Sequence, residues 1–141
     1  MVSVAVCLAT SVLAAKGLAA LPGAKIGQGG TAVLTLAAPV EYQVVQRTSA
    51  TAGVIPITGV LADLEAGTAT VEVRITTGGR ALGWQQLSGG LTGTRFAGKV
   101  EAPAGGWHRV EVRVIARGVV LAELGVDHVG IGEVFVVAGQ S

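Results

Sequence analysis

The chain has 141 residues, a formal net charge of +1, and a composition that is half hydrophobic but only 4% aromatic. That length suits one globular domain, which removes about two-thirds of its surface from water on folding. The near-neutral balance and scattered arginines leave no basic stripe for a phosphate backbone, which argues against nucleic acid. The single cysteine, Cys7, excludes an internal disulfide and a cysteine-based zinc site. The apolar content is mainly Val, Ala, Leu and Ile mixed with 22 glycines. β-Branched residues suit a pleated sheet and glycine suits turns, so composition leans all-β.

Residues 1–30 read as an apolar leader. A secretory signal has a basic start, an apolar run and a small-residue cleavage site. The run and the small residues near Ala14-Ala15 and Ala19-Ala20 are present, the basic start is missing, and Lys16 interrupts the run. That interruption argues against a membrane span. Two readings stay open: an atypical signal, with secretion or a periplasmic location as the expectation, or a helical or disordered leader. Pro22-Gly23 and Gly27-Gln28-Gly29-Gly30 mark a loop.

Short strands come next, at 32–36, 42–46 and 53–61. Pro56 cannot donate to a ladder, so the third should lie at an edge or carry a bulge. Val71, Val73 and Ile75 alternate with Glu72 and Arg74, the two-residue period of a half-buried strand over 70–75. Strands are expected at 82–87, with Trp84, and at 94–100, with Phe96 and Val100 in the core. After the turn Pro103-Ala104-Gly105-Gly106, Val110, Val112 and Val114 face one way from a strand over 107–115, and Arg109, Glu111 and Arg113 the other. Arg117-Gly118 turns it back into a strand over 119–126. This spacing indicates a sandwich rather than alternating β and α units. The run 133–138 is continuously apolar after Glu133, as in a strand buried on both faces of a parallel sheet. With nothing after it to bury it, the expectation is a chain cut from something longer.

The final segment, Gly132-Glu133-Val134-Phe135 running into Gly139-Gln140-Ser141, resembles the opening of the SGNH-type esterases, especially their sialate O-acetylesterase and acetylxylan esterase branch. Upstream, Tyr42–Arg47, Ile55–Gly59 and Pro103–Arg109 are similar to the immunoglobulin-like domain that precedes the catalytic domain in bacterial members. The resemblance implies an immunoglobulin-like antiparallel β-sandwich over 31–128, then the first strand of an incomplete α/β SGNH hydrolase domain over 129–141. It implies that Ser141 is the nucleophile and lends its own N–H to the oxyanion hole. A later Asp-x-x-His segment, with a glycine and an asparagine, would complete the site in the parent. Its substrate would be an acetylated carbohydrate, and no metal or organic cofactor is implied.

A serine hydroxyl is a poor nucleophile until a base takes its proton, and a tight turn at the end of a rigid strand fixes its oxygen. The only histidines, His108 and His128, read as structural and linker residues. Adjacent strand residues point to opposite faces, so Asp127 does not orient His128. Trp84 and Trp107 read as core, with a sugar-stacking platform as the alternative. Arg47, Arg74 and Arg113 read as a solvated face, with acidic-sugar binding as the alternative. Two functions remain in competition: the front end of a carbohydrate O-acetylesterase, inactive by itself, or a non-catalytic glycan-binding or structural module.

Overall fold

The computed structural model describes residues 25–29, 32–64 and 69–139. Residues 1–24 of the expected leader, Cys7 with them, and the expected nucleophile Ser141 lie outside them. In chain order the strands are β1 (Lys25–Gly29), β2 (Ala32–Ala38), β3 (Val44–Gln46), β4 (Ala52–Ala62), β5 (Thr70–Thr77), β6 (Arg80–Ala81), β7 (Gln85–Gln86), β8 (Leu91–Thr92), β9 (Arg95–Pro103), β10 (Trp107–Ala116) and β11 (Val119–Gly132). The described residues contain no helix, so none that would cross a membrane.

The strands form two sheets. One has the order β1-β2-β4-β9-β8 and the other β3-β11-β10-β5-β6, with β7 also on β5. Each neighbouring pair is antiparallel except β3 with β11, which run parallel. The alternation expected from the sequence sets which residues meet between the sheets. Val71, Val73 and Ile75 of β5 and Val110, Val112 and Val114 of β10 point inward. They join Leu34 and Leu36 of β2, Ile55, Ile57 and Leu61 of β4, and Phe96 and Val100 of β9 in one hydrophobic cluster. Each such side chain contributes ~1.5–3 kcal/mol by leaving water. The result is an all-β, sandwich-like fold with a single core.

Pro56 lies on β4, inside its sheet, but locally it has a neighbour on one side only. β2 ends at Ala38, opposite Thr58, while Pro56 pairs with Lys99 of β9. The missing N–H therefore breaks no ladder to β2.

Several expectations need correction. Residues 25–29, read as leader and loop, form β1 and pair with β2 along their length. An existing neighbour decides strand formation more than glycine propensity does. Of the strand expected at 82–87, only residues 85 and 86 form a ladder with β5, with single N–H bonds from Leu82 and Leu87 to it on either side. The run 133–138 is neither paired nor buried: Phe135 is 79% exposed, Val136 93% and Val137 91%. Its neighbours have ended, since Trp107 is the first residue of β10 and pairs with Gly130, while Gln46 is the last of β3 and pairs with Gly132. A strand with no partner on either side has no ladder to join.

Candidate functional site

The exit from the sandwich is held by side chains. The Gln46 amide donates from Nε2 to Glu133 Oε2 at 2.8 Å and accepts the Val134 N–H on Oε1 at 2.8 Å. The Arg47 guanidinium pairs with the same carboxylate, and the Arg47 N–H donates to the Gly132 carbonyl at 2.9 Å. Hydrogen bonds from Gln46 and then Arg47 hold the Glu133 carboxyl below the usual carboxylate range. Residues 133–139 thus leave from a fixed root, with exposed apolar side chains beyond it.

The outer face of the second sheet is a ladder of ion pairs. Register places Arg74 opposite Glu111 and Glu72 opposite Arg113. Arg74 grips Glu111 with two nitrogens, at 2.8 and 3.0 Å, and Arg113 meets Glu72 at 2.7 Å. Arg109 lies 3.5 Å from Glu111 and holds Asp127 at 2.7 and 2.8 Å. The Arg74 hydrogen bond is the main reason the Glu111 carboxyl sits below its ordinary pKa. Arg74 and Arg113 also lie over the Trp84 ring, 4.5 and 4.1 Å from its centroid. Arg47, Arg74 and Arg113 are therefore each paired with a carboxylate. Trp84 is a lid on this ladder, not a core residue.

Trp107 is not a core residue either. It shares the outward parity of Arg109, Glu111 and Arg113, and it is 51% exposed. Its ring lies over Gly130, where an added Cβ would sit 3.1 Å from it. Beside it Tyr42, 65% exposed, stacks on His128 with centroids 4.8 Å apart and planes 6° from parallel. Trp107 stands nearly perpendicular to both, 6.0 Å from each. The chain reaches this geometry through a β-bulge. His108 pairs with Val129 and Val110 with Val126, so Asp127 and His128 together oppose Arg109. His128 takes φ 56° and Tyr42 φ 63°, left-handed values uncommon for residues with a Cβ. Asp127 turns to Arg109, while His128 Nδ1 meets Glu41 Oε1 at 3.3 Å. Asp127 and His128 form no dyad, and the carboxylate beside His128 is Glu41. A cleft of about 230 Å³ adjoins this corner, lined by Thr76, Gly78, Gly79, Arg109 and Asp127 with Trp107 and His128.

His108 points the other way, into the end of the core. Its Nδ1 lies 2.7 Å from Thr77 Oγ1, and its Nε2 is buried with no hydrogen-bond partner. Burial is the main influence on its pKa and lowers it from 6.5. The neutral ring is therefore the folded form. Its contribution is fully present above pH 6.5, the unfolded value, and is lost as pH falls through the lower folded value. The urea midpoint is expected to fall between pH 7 and 5, and more steeply than in His108→Gln. Parallel pH dependences in the two proteins would remove His108 as the cause. Glu111 and Glu133, held low, titrate in a more acidic window.

Among the described residues no cluster of three or more His, Cys, Asp or Glu is placed to hold a metal. The aromatic corner is only partly visible in the sequence. Outward parity marks Trp107, but no linear pattern announces that Tyr42 and His128 adopt left-handed backbone and meet. No protein-family model matches the chain, and no curated protein matches it.

Proposed function

We propose that the chain is the accessory sandwich and nucleophile-bearing entry segment of a secreted or periplasmic SGNH-type carbohydrate O-acetylesterase. The observation that carries this reading is the exit from β11. Four consecutive apolar residues, Val134 to Val137, stand in water beyond the Gln46–Glu133–Arg47 clamp. An exposed apolar run of high β propensity is open to pairing with a further strand or to covering by a partner surface. The motif at its end, Gly139-Gln140-Ser141, is the one that resembles the esterase nucleophile turn. The parallel pairing of β3 with the last strand, while β2 stays in the opposite sheet, supports the immunoglobulin-like reading of the sandwich.

In this reading Ser141 Oγ attacks the acetyl carbonyl and a base takes its proton. The tetrahedral oxyanion rests on the Ser141 N–H and further donors. The sugar hydroxyl leaves with that proton, and water then releases acetate from the acyl-enzyme. His108 is buried against Thr77 and His128 is stacked on Tyr42 beside Glu41, so both imidazoles are committed elsewhere. The base is expected from the Asp-x-x-His segment that the resemblance implies.

Labelling tests the assignment. The complete product of the gene that encodes this chain is treated with a fluorophosphonate, then digested and analysed by mass spectrometry. The adduct is expected on the peptide containing Ser141. An adduct on a different serine of an acetyl-ester-hydrolysing protein would end the proposal.

A further inference from the structure

We infer that the corner formed by Tyr42, His128 and Trp107 is a binding site for a neutral pyranose of a carbohydrate chain, separate from the chemistry at Ser141. The chain spends conformational energy to expose these rings. Two of the four non-glycine residues with positive φ among the described residues, Tyr42 and His128, are the two that stack on each other. Backbone strain of this kind persists where the surroundings over-determine it and clusters at ligand sites. Gly130 lets the Trp107 ring lie close on the sheet. The rings are therefore fixed before any ligand arrives, which lowers the ordering cost of binding.

The shape and the polar rim select the ligand. The stacked pair forms one wall and Trp107 the other, at 82–85°. A pyranose has an apolar C–H face to lay on a ring and hydroxyls around its edge. Asp127, Arg109 and Thr76 line the adjoining cleft, offering acceptors and donors to those hydroxyls. A cage for an organic cation needs several ring faces around one point. Here the stack covers one face of Tyr42 and one of His128, and Gly130 backs one face of Trp107. An acidic sugar fits poorly, because Arg109 already meets both Asp127 and Glu111 and Glu41 adds a further carboxylate. Those carboxylates also oppose nucleic acid.

The test uses the chain itself in ¹⁵N NMR titrations with cellohexaose, xylohexaose and mannohexaose, and with N-acetylneuraminic acid and choline as contrasts. At least one neutral hexaose is expected to shift the Trp107 indole N–H and the amides of Tyr42 and His128. Trp107→Ala and Tyr42→Ala should each weaken that binding by about tenfold or more, while Trp84→Phe stays within about twofold. If Trp107→Ala fails to fold, Tyr42→Ala carries the test, because Tyr42 lies in an exposed turn. The inference is overturned if no hexaose binds at ~10 mM, if shifts map away from the corner, if Tyr42→Ala binds as well as the parent, or if only choline or the acidic sugar binds.

Discussion

Gly59→Ala is expected to destabilise the sandwich by about 3 kcal/mol or more, the upper range for an overpacked core. Gly59 lies on β4 between β2 and β9, with Phe96 as its cross-strand partner. The buried Phe96 ring crosses the strand where a side chain would otherwise project. An added Cβ would lie 2.4 Å from Phe96 Cζ and 2.3 Å from the Thr35 carbonyl oxygen. A flexible side-chain tip could give way, but the second atom is backbone in the neighbouring strand. Relief therefore requires moving β2, which carries Leu34 and Leu36 in the core. For a domain of this size the loss corresponds to a fall in Tm of roughly 10 °C or more. Gly132→Ala is the matched control. Nothing lies within 4 Å of a Cβ there, so its effect should stay within about 0.5 kcal/mol. Thermal denaturation followed by circular dichroism compares the two. A Gly59→Ala midpoint within about 2 °C of the parent would contradict this account of the core.

The same packing logic separates what can be read in the sequence from what cannot. The strands β5 and β10 are legible because one face is apolar and the other charged, so Val and charge alternate residue by residue. That alternation also holds the answer for Trp107, whose odd position matches Arg109 and Glu111 rather than the buried valines. The preference for aromatic residues in cores points the other way and misleads. For Trp84 no periodicity helps, since residues 82–84 lie outside the strands; its place over Arg74 and Arg113 is a tertiary fact. β1 is hidden because backbone pairing with β2 needs no side-chain pattern. The apolar character of 134–138 is plain in the sequence, but its environment depends on neighbours, and β3 and β10 do not reach it.

For the candidate site the limits are similar. The Gly139-Gln140-Ser141 motif is visible as letters, whereas nothing near Glu133 in the chain names the residues that clamp it. The clamp depends on β3 running parallel to β11, which brings Gln46 and Arg47 beside residues more than eighty positions away. The bulge that turns Asp127 to Arg109 and His128 to Tyr42 is a single extra residue in a ladder. Nothing in composition or period marks it.

On the proposed function, Ser141→Ala should have the largest effect on activity of any single change. In the proposed esterase this change removes the attacking hydroxyl and with it the covalent route, and comparable nucleophile deletions in serine hydrolases cost ~10⁴-fold or more in turnover. Substrate binding draws on other groups, so KM should change far less than kcat. The decisive measurement is steady-state release of acetate from an O-acetylated sugar by the gene's complete product and by its Ser141→Ala form. Loss of turnover by ~10⁴-fold, with KM nearly preserved, is the expected result; equal turnover by the two proteins would mean that this hydroxyl attacks nothing.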